Sequence, residues 1–537
     1  MPPHAEAPRP RRLDRIAFAV IAVLGFLAAV GPVTTNDLFW HIATGEHLYR
    51  LREFPALDVF SYTANDLPWF LHEWLTQVIF FGLHELGGLH ALRVFTGLMS
   101  VAILFLVWRT AKRHLTNPVA GVVVLLAFAV LGTCRFQARP TLFSIAFFLG
   151  LIAWLGSHRG PWRLRHAAML VLCVVVWVNL HSVGLLGLTV YGAFATGHVA
   201  RAWLAREPVA SHVLRHVLTF AVATGASCLN PAGWHLFDFA FQDKSEVMNF
   251  VVDEWGAFQL AFADNPLLTF EAYVVVLGIL ATVVTTYLLT GIALNSQSER
   301  RSSPALPDPV HLALLALCLA GGLMARRFHW MLAISLLFSM SHLATLIRHG
   351  ILLRVLRLAP LRIAGIVTAV TLFVLHYNRD LRHENQPLHE ALLTADYYTR
   401  EIAPSLDLPA VQFMRDAGLE GNAFCHYGSG GMLTYFLYPK VKVFVDSRAD
   451  LYRRRILLEF MAVRDGHPDQ QEILDQHGTD IYFRHWEIAA LRAPSGWTRV
   501  YEGPDGEVWL RKHDRNLENL ERCKAWHRRF GPQSAPR

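Results

Sequence analysis

Charged residues are scarce in this chain: 17% of its 537 residues, where a soluble domain carries about 25%. Hydrophobic residues make up 53%, and the mean hydropathy is +0.31, which excludes a simply soluble protein. The six cysteines include no CxxC pair, which removes the usual zinc-ribbon and thiol-redox patterns. Most sit in or beside apolar runs, where cysteine acts as a small hydrophobe, although Cys425 and Cys523 could pair in an oxidising compartment. No internal repeat is visible, which argues against an inverted-repeat transporter. His41 and His47 are six apart and so lack HExxH spacing, and the GSGG at 428–431 lacks the Lys-Ser/Thr of a phosphate loop. The formal charge of +7 requires no nucleic-acid partner, because its arginines cluster in short loops between apolar runs.

What the sequence does have is apolar length. Runs of about 17–25 residues, each able to cross a hydrocarbon core of about 30 Å, recur between Ile16 and Tyr377. The expected spans are 16–33, 89–108, 118–133, 140–156, 167–180, 182–199, 213–229, 268–291, 309–324, 328–346 and 361–377. The stretch "HEWLTQVIFFGLHELGG" (72–88) has His and Glu at both ends and reads as an interfacial helix or half-span. With residues 1–15 in the cytoplasm, every inner loop is basic: "RTAKRH", "SHRGPWRLRH", "ARAWLAR", "SERR" and "RHGILLRVLR". The expected class is therefore a polytopic α-helical membrane protein with about eleven spans, in a cytoplasmic (inner) membrane. The domain 16–377 carries an exported first loop at 34–88. The segment 378–537, where charge returns, forms an exported α/β domain with strands at 440–447, 479–486 and 498–512. The last of these is a hairpin around Pro504-Asp505-Gly506, and a helix covers Leu408–Ala417.

On this topology the unusual polar residues fall at the outer ends of the spans. They are Asp37, His41, His72, Glu73, Arg135, Arg139, Asn179, His181, Asn230, Asp253, Glu254, Arg326, Arg327 and His329. Ionisable groups at membrane depth cost a few kcal/mol or more each and face cavities. Arginine on the outer face runs against the positive-inside bias, so Arg135, Arg139, Arg326 and Arg327 point to an anionic ligand. A polyprenyl-phosphate sugar fits: its tail lies among helices, and its phosphate meets arginine forks. Asp37 would then be the base that deprotonates an acceptor, with His41, His72 and His181 lining the substrate path. Mg²⁺ or Mn²⁺ could instead draw on Asp37 with Asp253 or Glu254. Asp37 also suits a helix N-terminus. In the exported domain, Asp446, Arg448 and Asp450 follow a strand and either bind the acceptor or form an ion-pair network in their loop.

Residues 15–377 resemble the integral-membrane glycosyltransferases of the C superfamily, which includes protein O-mannosyltransferases and lipid A aminoarabinose transferases. The resemblance rests on a first span, then a long exported loop with an acid just beyond it (Asp37), then interfacial helices. More closely, "DLFWHIATGEHL", "DVFSYTANDLPWFLHEWL", "WVNLHSVG", "LNPAGW" and "VFVDSRADLY" are similar to a set shared by a subgroup of bacterial membrane proteins. The resemblance implies that Asp37 is catalytic base or metal ligand, with inverting transfer of a hexosyl or pentosyl group to a glycan, lipid or protein acceptor. The sequence departs from the family where many members carry Asp-Glu, since Leu38 follows Asp37; Glu73 or Asp58 would supply the second acid. The alternatives are a transporter or flippase of a lipid-linked sugar or other amphiphilic anion, and a non-catalytic envelope scaffold.

Overall fold

The computed structural model describes residues 11–30, 35, 37–115, 118–132, 136–241, 258–259, 270–296, 307–346, 408–448, 450–485, 487–503 and 506–530. Ten of the eleven expected apolar runs coincide with described helices, and 361–377 lies outside the described residues. The chain divides into two compact units. One comprises Met1–Gly31, Arg93–Gly233 and Val252–Leu392; the other comprises Pro32–Leu92, Trp234–Val251 and Leu393–Arg537.

The first unit is helical. It contains α1 (Arg11–Ala29), the second half of α3 (Trp74–His114), α4 (Pro118–Gly132), α5 (Thr141–Ser157), α6 (Leu164–Leu180), α7 (Leu186–Leu204) and α8 (Val209–Ser227). It also contains α10 (Phe270–Ser296), α11 (Pro309–Met324) and α12 (Trp330–Leu346). Three described stretches, Trp74–His114, Ser182–Leu204 and Ala272–Thr290, are long and apolar enough to cross a membrane, and shorter apolar helices accompany them. α4, "PVAGVVVLLAFAVLG", is apolar all round, the composition of a helix with no water-facing side. α11 starts where Asp308 accepts from the Val310 N–H at 3.0 Å, with Pro309 supplying a pre-set φ at the first helical position. The same carboxylate takes Arg201 at 2.7 Å and Arg159 at 3.1 Å, which ties α7 and the end of α5 to the start of α11.

The stretch labelled α3 is two helices that meet at a kink: Gly87 and Gly88 have non-helical backbone angles, at the boundary where the sequence separates the interfacial stretch from the following span.

The second unit joins segments far apart in sequence. It contains α2 (Asp37–Leu51), the first half of α3, α9 (His235–Phe241), α13 (Leu408–Asp416), β1 (Gly421–Phe424), α14 (Gly430–Leu437) and β2 (Val441–Val443). α15 (Arg454–Arg464), α16 (Gln470–Gln476), β3 (Ile481–His485), β4 (Trp497–Glu502), β5 (Gly506–Arg511) and α17 (Leu517–Phe530) complete it. The sheet order is β2-β1-β3-β5-β4, with β2, β1 and β3 parallel and β5 and β4 antiparallel. The open edge of β2 is covered by the loop after α2: Tyr62 N–H donates to the Val443 carbonyl at 3.1 Å, and Val443 N–H donates to Phe60 at 3.2 Å. Pairing an edge this way removes a row of unsatisfied backbone groups. Ala64 and Leu67 from the loop enter the same apolar core as Phe424, Phe444, Phe460 and Tyr482. Cys425 and Cys523 are buried and free, so the pairing that the sequence left open is not made.

The glycine loop before α14 meets its own chain. A Cβ on Gly430 would lie 2.2 Å from the Val445 carbonyl oxygen, so the close approach this glycine permits is to the strand-end backbone. Gly430→Ala is therefore expected to lower stability by roughly 1–3 kcal/mol, the scale of overpacking, read as a fall in the unfolding temperature of the detergent-solubilised chain.

Candidate functional site

α2 opens at Asp37, the first residue of the helix, whose N–H donates to Thr35 Oγ1 at 3.3 Å. An acid in the first turn complements the positive end of the helix. One turn later, on the same face, is His41. Its Nε2 lies 3.8 Å from Glu73 Oε2, and His72 Nε2 lies 3.9 Å from Glu73 Oε1. Both distances exceed a hydrogen bond but permit a charge contact when the imidazole is protonated. Glu73 is only 8% exposed and precedes α3; its carbonyl accepts the Gln77 N–H at 3.1 Å. The helices can come this close because Gly45, one turn beyond His41, has no side chain: a Cβ there would lie 2.1 Å from the Gln77 carbonyl oxygen. The second unit thus brings His41, His72 and Glu73 together, with Asp37 a turn away.

Asp446 and Arg448 are used internally. Arg448 donates from Nε to Asp446 Oδ1 at 2.9 Å, from Nη2 to Asp446 Oδ2 at 2.7 Å, and from Nη1 to Asp58 Oδ1 at 2.7 Å. All three nitrogens are spent on carboxylates, and the guanidinium lies over the Trp69 ring at 4.6 Å. Asp446 and Arg448, for which the sequence leaves acceptor binding and an ion-pair network open, form a buried ion network that joins the first loop to the end of β2. Asp58, expected as a possible second acid, is its third member. Asp58 also accepts from the Ser61 N–H at 2.8 Å and from the Ser61 hydroxyl.

Burial pushes the Asp58 carboxyl upward, but the Arg448 charge and the Ser61 and Arg448 hydrogen bonds outweigh it and hold the group below its ordinary value. A carboxylate depressed in the fold stabilises above its unfolded value of about 3.9, and that stability is lost as pH falls through the lower folded value. Unfolding temperature measured from pH 7 downward should therefore hold until about pH 4 and then drop. Asp58→Asn should remove that component of the drop.

In the first unit the remaining candidates share one end of the helices. Arg139 immediately precedes α5, and its carbonyl accepts the Leu142 N–H at 3.1 Å. His181 follows α6 and reaches the first turn of α5, where Ser144 Oγ lies 2.7 Å from its Nδ1. Trp177 Nε1 donates to the same Ser144 oxygen at 2.7 Å, so this one hydroxyl joins the end of α6 to the first turn of α5. Arg326 and Arg327 form the tight turn between α11 and α12. The Trp330 ring at the start of α12 lies 6.2 Å from Phe128, near the end of α4, and 5.1 Å from Phe148 in α5, which places that turn at the same end. Asp308, Arg159 and Arg201 lie at the opposite end.

Arg135, Asp253 and Glu254 lie outside the described residues. Among the described residues no three His, Cys, Asp or Glu side chains are grouped as metal ligands.

No family model matches the sequence, and no curated protein matches it. Solved structures do. The apo oligosaccharyltransferase of Archaeoglobus fulgidus aligns with 89% of this chain and 70% of its own, at 11% identity and a TM-score of 0.50. The archaeal oligosaccharyltransferase AglB of A. fulgidus, in complex with an inhibitory peptide and a dolichol-phosphate, aligns with 89% of this chain and 70% of its own (9% identity, TM-score 0.46). Apo ArnT of Cupriavidus metallidurans aligns with 92% of this chain and 97% of its own (13% identity, TM-score 0.47). The first of these matches shows the fold: this chain is folded like the oligosaccharyltransferase of Archaeoglobus fulgidus.

Proposed function

We propose that this chain, folded like an oligosaccharyltransferase, moves a sugar from a polyprenyl-phosphate carrier to an acceptor at the outer face of the bacterial cytoplasmic membrane. The observation that carries this reading is the acid and imidazole set directly after the first apolar helix: Asp37 opening α2, and buried Glu73 between His41 and His72. In this reading the N-terminus is cytoplasmic, and the 378–537 domain is exported.

Asp37 removes the proton from an acceptor hydroxyl or amine. The freed electron pair attacks the anomeric carbon, the bond from that carbon to the phosphate oxygen breaks, and its electrons leave on the phosphate with inversion. Arg135, Arg139, Arg326 and Arg327 take up the developing negative charge. Glu73 holds His41 and His72 beside the reacting sugar. Should Mg²⁺ or Mn²⁺ take part, Asp37 with Asp253 or Glu254 is an oxygen set suited to a hard cation.

Mass spectrometry of carrier lipids provides the test. Cells lacking the protein should accumulate a sugar-loaded polyprenyl phosphate, and purified protein in proteoliposomes should convert it to bare polyprenyl phosphate when acceptor is supplied. Movement of the intact loaded carrier across the bilayer, with no cleavage, would establish the transporter instead.

A further inference from the structure

Beside the acid and imidazole set lies a surface of open aromatic rings. Trp234 is 62% exposed and Phe70 37%, and large apolar groups left open beside polar ones mark a place where something docks. Phe70 stacks on His235 with 5.1 Å between ring centroids, and the His235 ring lies 3.8 Å from that of Trp234. His235 Nδ1 is 3.0 Å from Asp238 Oδ2, and both side chains stay open, at 40% and 60%. The rings also connect to the site already described. His72 Nδ1 donates to the Phe70 carbonyl at 2.9 Å, and its Nε2 is the nitrogen that approaches Glu73. From Glu73 the contacts therefore run through His72 and Phe70 to His235 and Trp234, all within the second unit. Two motifs of the sequence, "FLHEWL" and "LNPAGW", supply Phe70 and Trp234.

A pyranose ring has the shape for this surface. One of its faces is C–H, which packs on an indole, and its rim is hydroxyl, which donates to a carboxylate. Bilayer lipid is a poorer occupant: aromatic rings do line membrane interfaces, but Asp238 and His235 would then lose their water to hydrocarbon. We infer that Trp234, with Phe70, His235 and Asp238, forms a subsite for one sugar ring of the acceptor, which makes the acceptor a glycan. This rests on the transferase reading and deepens it, since that reading leaves glycan, lipid and protein acceptors open. The donor sugar is tied to the membrane by its carrier, whereas an indole open over most of its surface admits a chain arriving from outside.

The test uses the full chain in nanodiscs. Immobilised oligosaccharides of glucan, mannan, galactan and N-acetylglucosamine are the probes, and the tightest of them is carried to the variants. Trp234→Ala should weaken its binding about tenfold, the scale of one lost aromatic contact, while Trp234→Phe keeps most of it because a ring remains. Trp203→Ala removes an equally open indole (67% exposed) in the first unit and should change nothing. All three should unfold close to the wild-type temperature, since each removes an exposed side chain. In nanodiscs of brominated phospholipid, Trp234→Phe should leave the quenched share of tryptophan emission unchanged. A wild type that binds none of the four probes, binding unchanged in Trp234→Ala, or a fall in quenching when Trp234 is replaced would overturn the subsite; the last would give this surface to the bilayer. Release of bare polyprenyl phosphate from the loaded carrier, followed in parallel, keeps the two readings apart. Glycan binding that depends on Trp234 without any such release would end the transferase and keep a glycan subsite, whereas normal release with binding indifferent to Trp234 would do the reverse.

Discussion

Asp37→Asn should cut transfer of sugar from the polyprenyl carrier by about 10²–10⁴-fold, the contribution of a positioned general base. The unfolding temperature should stay close to that of wild type. Asparagine matches aspartate in size and is as good at a helix N-terminus, so the start of α2 keeps its local support. What disappears is the carboxylate's ability to take a proton. If Asp37 serves only to complement the helix end, the loss would be confined to about 0.3–1 kcal/mol of stability, with turnover intact. Loss of carrier-bound sugar in washed membranes, measured beside the melting curve of the same variant, separates the two roles. Glu73 predicts a different pattern. Glu73→Gln keeps the shape of the α2–α3 contact but removes the charge facing His41 and His72, so a change in the pH profile of turnover is its signature.

The second large effect is structural. Arg448→Met should destabilise the second unit by about 3–5 kcal/mol, because it leaves Asp58 and Asp446 as uncompensated buried charges. The two carboxylates accept every guanidinium nitrogen, and the arginine is 3% exposed. Replacing all three together (Asp58→Asn, Arg448→Met, Asp446→Asn) should cost markedly less than Arg448→Met alone, since no lone charge remains. Thermal unfolding of the full chain in detergent, paired with limited proteolysis of the loop 52–73, provides the comparison. Equal losses in the single and triple variants would mean that the pairs are not coupled.

The apolar helices were readable because a stretch of about twenty apolar residues has few alternatives to a helix. The break at Gly87–Gly88 is legible as a composition boundary, where the interfacial stretch ends and the apolar span begins. β1, "GNAF", is too short and too polar at its start to carry a strand signal; its parallel neighbours β2 and β3 make it one. The partnership of the first loop with the C-terminal segment was not legible. Asp58 and Arg448 are 390 positions apart, and only the folded sheet edge brings them together. That distance is why Asp446 and Arg448 read as ligands or as a local pair: the third member of their network lay in another segment. Asp37, His41, His72 and Glu73 stood out as acids and imidazoles among aromatic residues, and the structure adds the contact through Glu73.

Photocrosslinking with a polyprenyl-phosphate sugar that bears a diazirine on the sugar tests most directly where the transferred group binds. Mass spectrometry of the labelled full-length protein should find the adduct on the peptides that carry residues 37–51 and 69–81, with competition by unlabelled loaded carrier. Adducts confined to the peptides around 157–166 and 200–206 would contradict the assignment of the transfer site to α2 and α3.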